Sequence, residues 1–177
     1  MTKQAIAAEL NEHYRAFADY ITHLTSEEYT AAIPGKWNAG QQLAHIILSV
    51  KPLVKVYGME KSAIEQTFGR ADKQSRTYDV LLSDYIEKLY DGGKAPERYI
   101  PPAPPEAERK TQYETLLKLV TELSAEIDTF SEAQLDSLLI PHPLLGNLTL
   151  REMLFNSIYH VQHHQMQTTK NLELYFS

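Results

Sequence analysis

The chain has 177 residues, a hydrophobic fraction of 43% and a charged fraction of 23%, which fits one globular domain over residues 1–177 and excludes general disorder. Its net charge is −6 and its longest basic feature is Arg109-Lys110, so no nucleic-acid footprint is present. It has no cysteine, which excludes disulfides, iron–sulfur clusters and thiol nucleophiles and leaves histidine, carboxylate and water as metal donors. The polar stretch Met1–Glu9 lacks an apolar signal region, and no apolar run approaches the ~18 residues of a membrane span. A cytoplasmic location with no membrane partner is the expectation.

In chain order, residues 2–24 predict a first long helix, because Ile6, Leu10, Tyr14, Phe17 and Ile21 recur at spacings of three and four. Thr25-Ser26-Glu27-Glu28 opens a short helical turn that Pro34-Gly35 ends. Asn38, with Gln41 three residues on, caps a second long helix running to about Tyr57 with Pro52 inside it. Tyr78 to Tyr90 reads as a shorter helix. Ala95 to Glu106 holds five of the nine prolines and reads as an extended crossing. A third long helix follows over residues 108–130, and Ser131 with Gln134 starts a short turn. Residues 141–147 read as loop. Thr149 with Glu152 caps a fourth long helix to about Lys170. No segment alternates strictly, so no strand is expected. The fold class is all-α: a four-helix bundle with a long proline-rich connection between the second and third long helices.

Of seven histidines, three fall in His160-Val161-Gln162-His163-His164. At about 100° per residue, His160 and His164 lie about 40° apart on one face, as two ligands of one ion must. On that wheel Leu150, Met153, Leu154, Ile158 and Val161 form the buried arc. His164 sits at its edge beside Ser157, and His163 falls on the polar side with Glu152 and Lys170. On the second helix, His45 flanks the apolar face made by Leu43, Ile46, Ile47, Val50 and Leu53, and forms a polar patch with Gln42 and Ser49. If the two patches face each other, His45, His160 and His164 offer three nitrogen ligands. Taken alone, His45 reads more readily as a hydrogen-bonded core residue. His13, His23 and His163 read as solvated, His142 as a structural loop residue near a pocket mouth, and Trp37 as a core anchor.

Several of these residues together resemble the DinB/YfiT-like superfamily of metal-binding four-helix bundles. They are Lys36-Trp37, Gln42-Leu43-Ala44-His45-Ile46, the segment from Pro141 to Thr149, and His160 to His164 with Gln167. The resemblance implies one divalent ion, zinc or nickel, on His45, His160 and His164. Many relatives carry an Arg-Gly pair before the glutamine, where this chain has Gln165-Met166. Relatives include enzymes that use low-molecular-weight thiols, which implies a thiol S-transferase, or second a hydrolase, acting on a small molecule with a thiol as possible co-substrate. Three neutral imidazoles leave open positions on the ion, as catalytic zinc sites do. The alternative is a non-catalytic metal-binding or interaction protein. No residue matches a catalytic acid or base; Tyr159 and Tyr113 are within reach of the site and no more. Relatives are often dimers, and Phe155, Tyr159 and Met166 make an outer arc of the fourth helix more apolar than a solvated face. A homodimer would bury it, and so would the helix at residues 78–90 within one chain.

Overall fold

In a computed structural model describing all residues Met1–Ser177, eight α-helices and one short hairpin account for most of the chain. Four helices are long: α1 (Lys3–His23), α3 (Ala39–Tyr57), α6 (Arg109–Asp128) and α8 (Leu150–Phe176). Helices α1 and α3 each pack against both α6 and α8, closing a four-helix ring. Their inward faces build a core of 31 buried residues, including Ile6, Leu10, Phe17, Leu43, Ile46 and Leu154, all 0% exposed. Burying each such side chain contributes about 1.5–3 kcal/mol. No helix is long and apolar enough to cross a membrane.

The helix starts follow their caps. Asn38 accepts from the Gln41 amide while the Gln41 side chain accepts from the Asn38 amide, and α3 begins there with its face orientation set. Reciprocal boxes also start the short helices α2 (Ser26–Thr30) and α7 (Glu132–Ser137), through Thr25/Glu28 and Ser131/Gln134. Thr149 and Glu152 do the same for α8, which runs six residues beyond the expected end at Lys170.

Between α3 and α6 lie α4 (Lys61–Phe68), which the sequence pattern did not reveal, and α5 (Tyr78–Tyr90). Residues 91–108 hold two single turns of 3₁₀ helix and no α-helix. Helix α4 is only eight residues long and buries one side chain fully, Ile64, with Phe68 one turn on packed against the core, too short a run to stand out in the sequence.

The expectation of no strand is corrected. Strands β1 (Leu139–His142) and β2 (Gly146–Thr149) pair antiparallel, with Ile140 opposite Leu148 and Pro141 opposite Asn147. Four-residue strands are too short for a visible alternation, and Pro141 argued against one. In a two-stranded ribbon both strands are edges, where a missing amide is tolerated. Gly146 closes the three-residue connection at φ 71°, a conformation that favours glycine.

Helix α5 lies along α8. The Tyr78 ring meets Phe155 edge-on at 5.7 Å, and Tyr85 meets Tyr159 at 6.0 Å. Phe155 is thereby buried within one chain, while Met166 stays exposed. The same covering corrects the placement of Glu152. It is 5% exposed rather than on a solvated side, because residues 150–158 of α8 are surrounded on every face.

Candidate metal centre

Helix α3 turns Leu43, Ile46 and Val50 into the core, which leaves Gln42 and His45 at the margin of that face, next to α8. On α8, His160 and His164 are one turn apart and face the same gap. The three imidazoles converge. The Nε2 atom of His160 lies 3.2 Å from Nε2 of His45 and 3.0 Å from Nε2 of His164. These three residues form a cluster that could hold a metal ion.

The outer nitrogens fix two of the three rings. Nδ1 of His45 donates to the Tyr99 carbonyl at 2.7 Å, and Nδ1 of His164 donates to Oε1 of Gln42. Each of those rings therefore presents a bare Nε2 lone pair to the centre. His160 can offer one proton at most, to one of them. At least one of the inward Nε2 lone pairs is then left without a proton to accept, and a cation would satisfy it. A tetrahedral ion with nitrogen bonds of about 2.0–2.1 Å separates its ligands by about 3.3–3.4 Å, close to the observed spacing. The donor set thus fits a divalent ion, and a carbonyl and a carboxamide hold two of its members as such sites require.

The electrostatics agree. Burial pushes the pKa of His45 down, and burial with the neighbouring imidazoles pushes His160 and His164 well below the ordinary histidine value. All three are neutral at pH 7, the state that binds metal.

Trp37 is not the expected core anchor. It is half-buried and walls the cluster, stacked on His164 at 6.0 Å and 13° and tilted against His45 at 4.8 Å. The histidines line a cavity of about 410 Å³. Its apolar walls come from α3 (Pro52, Leu53), α4 (Phe68), β1 (Ile140) and α8 (Met153), and its polar groups include Ser49, Asn156 and Ser157. Tyr14 also reaches it. The sequence hid that position, because a phenol at a core spacing reads as core.

The remaining histidines divide. His13 contacts Glu9 at 3.0 Å and His23 the Asp19 carbonyl at 2.6 Å, both away from the cavity. His163 is corrected from solvated to half-buried. It lines the cavity, its ring packs edge-on against His164 at 5.3 Å, and it stays outside the three-nitrogen cluster. Its displacement by one residue from the inner face keeps it out, and burial still lowers its pKa. His142 lines the cavity from the hairpin. Its Nδ1 accepts from the Leu144 and Leu145 amides at 3.1 and 3.2 Å, and burial pulls its pKa down to about 4.

Neither guessed tyrosine faces the cavity. Tyr113 donates to Asp19 at 3.0 Å, and Tyr159 packs on Tyr85. No carboxylate lines the cavity.

Searches among curated proteins and among solved structures returned no match. A family model does match, that of the DinB superfamily, over residues 9–168. That span takes in His45, His160, His164 and the greater part of every long helix, so the chain belongs to the DinB superfamily.

Proposed function

We propose that His45, His160 and His164 hold one divalent ion, zinc or nickel, and that the adjoining cavity is the active site of a metal-dependent enzyme. Thiol S-transfer is the first candidate reaction and hydrolysis the second. The observation that carries this reading is the meeting of three Nε2 atoms, two of them with fixed lone pairs, on the wall of a 410 Å³ cavity. The ion would supply Lewis acidity and would lower the pKa of a thiol or water bound to it.

The chain's own groups have distinct tasks. The Tyr99 carbonyl and Gln42 orient His45 and His164. Trp37, packed on His45 and His164, shields that side of the cluster from bulk water, which strengthens charge interactions inside. Ser49 and Ser157 donate to main-chain carbonyls of their own helices, so their hydroxyl oxygens keep lone pairs for a ligand. His142 cannot act as a base through Nδ1, because two amides already occupy that lone pair. Three protein donors with a cavity beside them support an enzyme over a non-catalytic metal protein, whose site would be closed by a fourth side chain.

The test begins with protein stripped by chelator and reloaded with zinc or nickel. A higher melting temperature and about one bound ion per chain are expected at pH 7.5. Turnover of an electrophile with a small thiol, dependent on added metal, would then establish the enzyme. No metal uptake and no thermal shift would remove the reading.

A further inference from the structure

Charge is distributed unevenly around the cavity. The chain carries 23 acidic and 17 basic residues, so a proportional share of the 27 cavity-lining positions would include about three acids. There are none, whereas Lys94 and Arg98 are both present. Arg70, Arg76, Arg109 and Arg151 each pair with a carboxylate. Arg98 does not; its guanidinium lies 5.1 Å from the centre of the Tyr99 ring. Both cations are exposed, at the solvent side of the cavity.

The segment bearing them is anchored. The Gly93 amide donates to the Lys88 carbonyl at 2.9 Å, and the Tyr99 amide to the Pro96 carbonyl at 2.8 Å. A side chain at position 93 would come within 2.6 Å of the Lys88 carbonyl oxygen, so the turn is closely packed there. At its far end the Tyr99 carbonyl accepts from His45. The backbone that carries the two cations is therefore held beside the histidine cluster. Further in, Asn156 is 7% exposed and lines the cavity, yet its buried Nδ2 has no acceptor in the protein. A buried amide donor without a partner is costly, and a ligand oxygen would satisfy it.

We propose that the cavity takes an organic anion: a small molecule with an apolar body and a carboxylate, the carboxylate held by Lys94 and Arg98 and a second oxygen by Asn156. The apolar walls accept the body, the guanidinium fork matches a carboxylate, and no acid on the wall repels it. The proposal rests on the reading of this cavity as the substrate site. Its charge preference, however, resides in protein side chains and does not need the ion.

Calorimetric titration with 3-phenylpropanoate and its neutral amide, at pH 7.5 and low salt, separates the two ideas. Both zinc-loaded and chelator-stripped protein are titrated. The carboxylate is expected to bind about tenfold more tightly than the amide in both forms. In the Lys94→Gln/Arg98→Gln variant that preference should fall below about twofold, with zinc content and melting temperature unchanged. These side chains are exposed, so the variant folds. A preference that survives in the variant would take anion recognition away from Lys94 and Arg98 and overturn the proposal; survival in the zinc-loaded form alone would assign it to the ion. Equal binding of the two probes by the unaltered protein, or binding of neither at millimolar concentration, would also overturn it. Failure of zinc to bind would remove the metal reading and leave the stripped-protein comparison standing.

Discussion

Helix α8 carries buried polar residues at two places, and they behave differently. At its N-terminal end Arg151 donates to Asp136, Glu132 and the Met1 carbonyl. Glu152 accepts from the Arg76 side chain, the Arg76 amide and the Thr149 amide. Every charge there has an opposite charge, and the Arg76 and Arg151 partners hold the carboxyls of Glu152 and Asp136 below their ordinary pKa against the opposing effect of burial. Two to four turns further on, His160 and His164 meet His45 with no counter-charge at all. The first cluster is complete and ties α7, the start of the chain and, through Arg76 and Asp84, α5 to α8. The second holds more inward lone pairs than protons to satisfy them and is completed by something added. Polar groups that satisfy each other indicate structure; those that converge unsatisfied indicate a site.

The sharpest way to break the contrast is to remove a ligand. His160→Ala or His164→Ala should lower zinc affinity by about 10³-fold in a competition titration, while the metal-free His160→Ala protein keeps its melting temperature within a few degrees. An unchanged affinity would mean that the cluster is structural after all. The opposite substitution, Arg151→Ala, should cost about 1–2 kcal/mol in urea unfolding, because it removes a nearly buried guanidinium with its hydrogen bonds while Glu132 and Asp136 remain solvated, and should leave zinc affinity within about twofold. Next in size is Gln42→Leu, which removes the acceptor that fixes His164. A roughly tenfold loss of zinc affinity is expected.

Acid provides a smaller effect with a definite sign. Burial lowers His142 to about 4, against about 6.5 in the unfolded chain. Between those values the unfolded state binds more protons. Stability of the metal-free protein should therefore be flat above pH 6.5 and fall as pH drops toward 4. His142→Gln should flatten part of that slope in a pH series of thermal scans. The lowered ligand histidines add to the same trend. They also move proton competition with the ion to more acidic pH than ordinary imidazoles would show, so metal stabilisation should be strong at pH 7.5 and fade only well into acid. The smallest effect belongs to His163→Ala, which should change zinc affinity less than about twofold. A loss like that of His160→Ala would show that the inner face of α8 is misassigned.

The long helices, the His160/His164 pair and the place of His45 beside a core face were legible because each depends on local rules. Three- and four-residue spacing fixes a helix face, capping boxes fix its start, and an i, i+4 pair fixes two imidazoles on one side. Where those rules were silent, the reading failed. Helix α4 is eight residues long with one fully buried side chain, too short for its period to stand out. The hairpin is four residues a side with a proline in it. Glu152 and His163 sit on the polar side of an isolated α8 wheel, but α5, the hairpin and the residues around Arg76 occupy the space that solvent was expected to fill.

The sequence by itself determined four amphipathic helices, the one-turn spacing of His160 and His164, and the place of His45 beside the core face of α3, since all three follow from the geometry of a single helix. Only the tertiary structure decided that the patches on α3 and α8 meet with their Nε2 atoms 3.0–3.2 Å apart. It alone made Tyr99 and Gln42 the groups that orient two of the rings, and brought Asn156, Lys94 and Arg98 to one cavity. Those relations join residues 54 to 122 positions apart, and no local pattern specifies a distance across such a gap; packing of the whole core does.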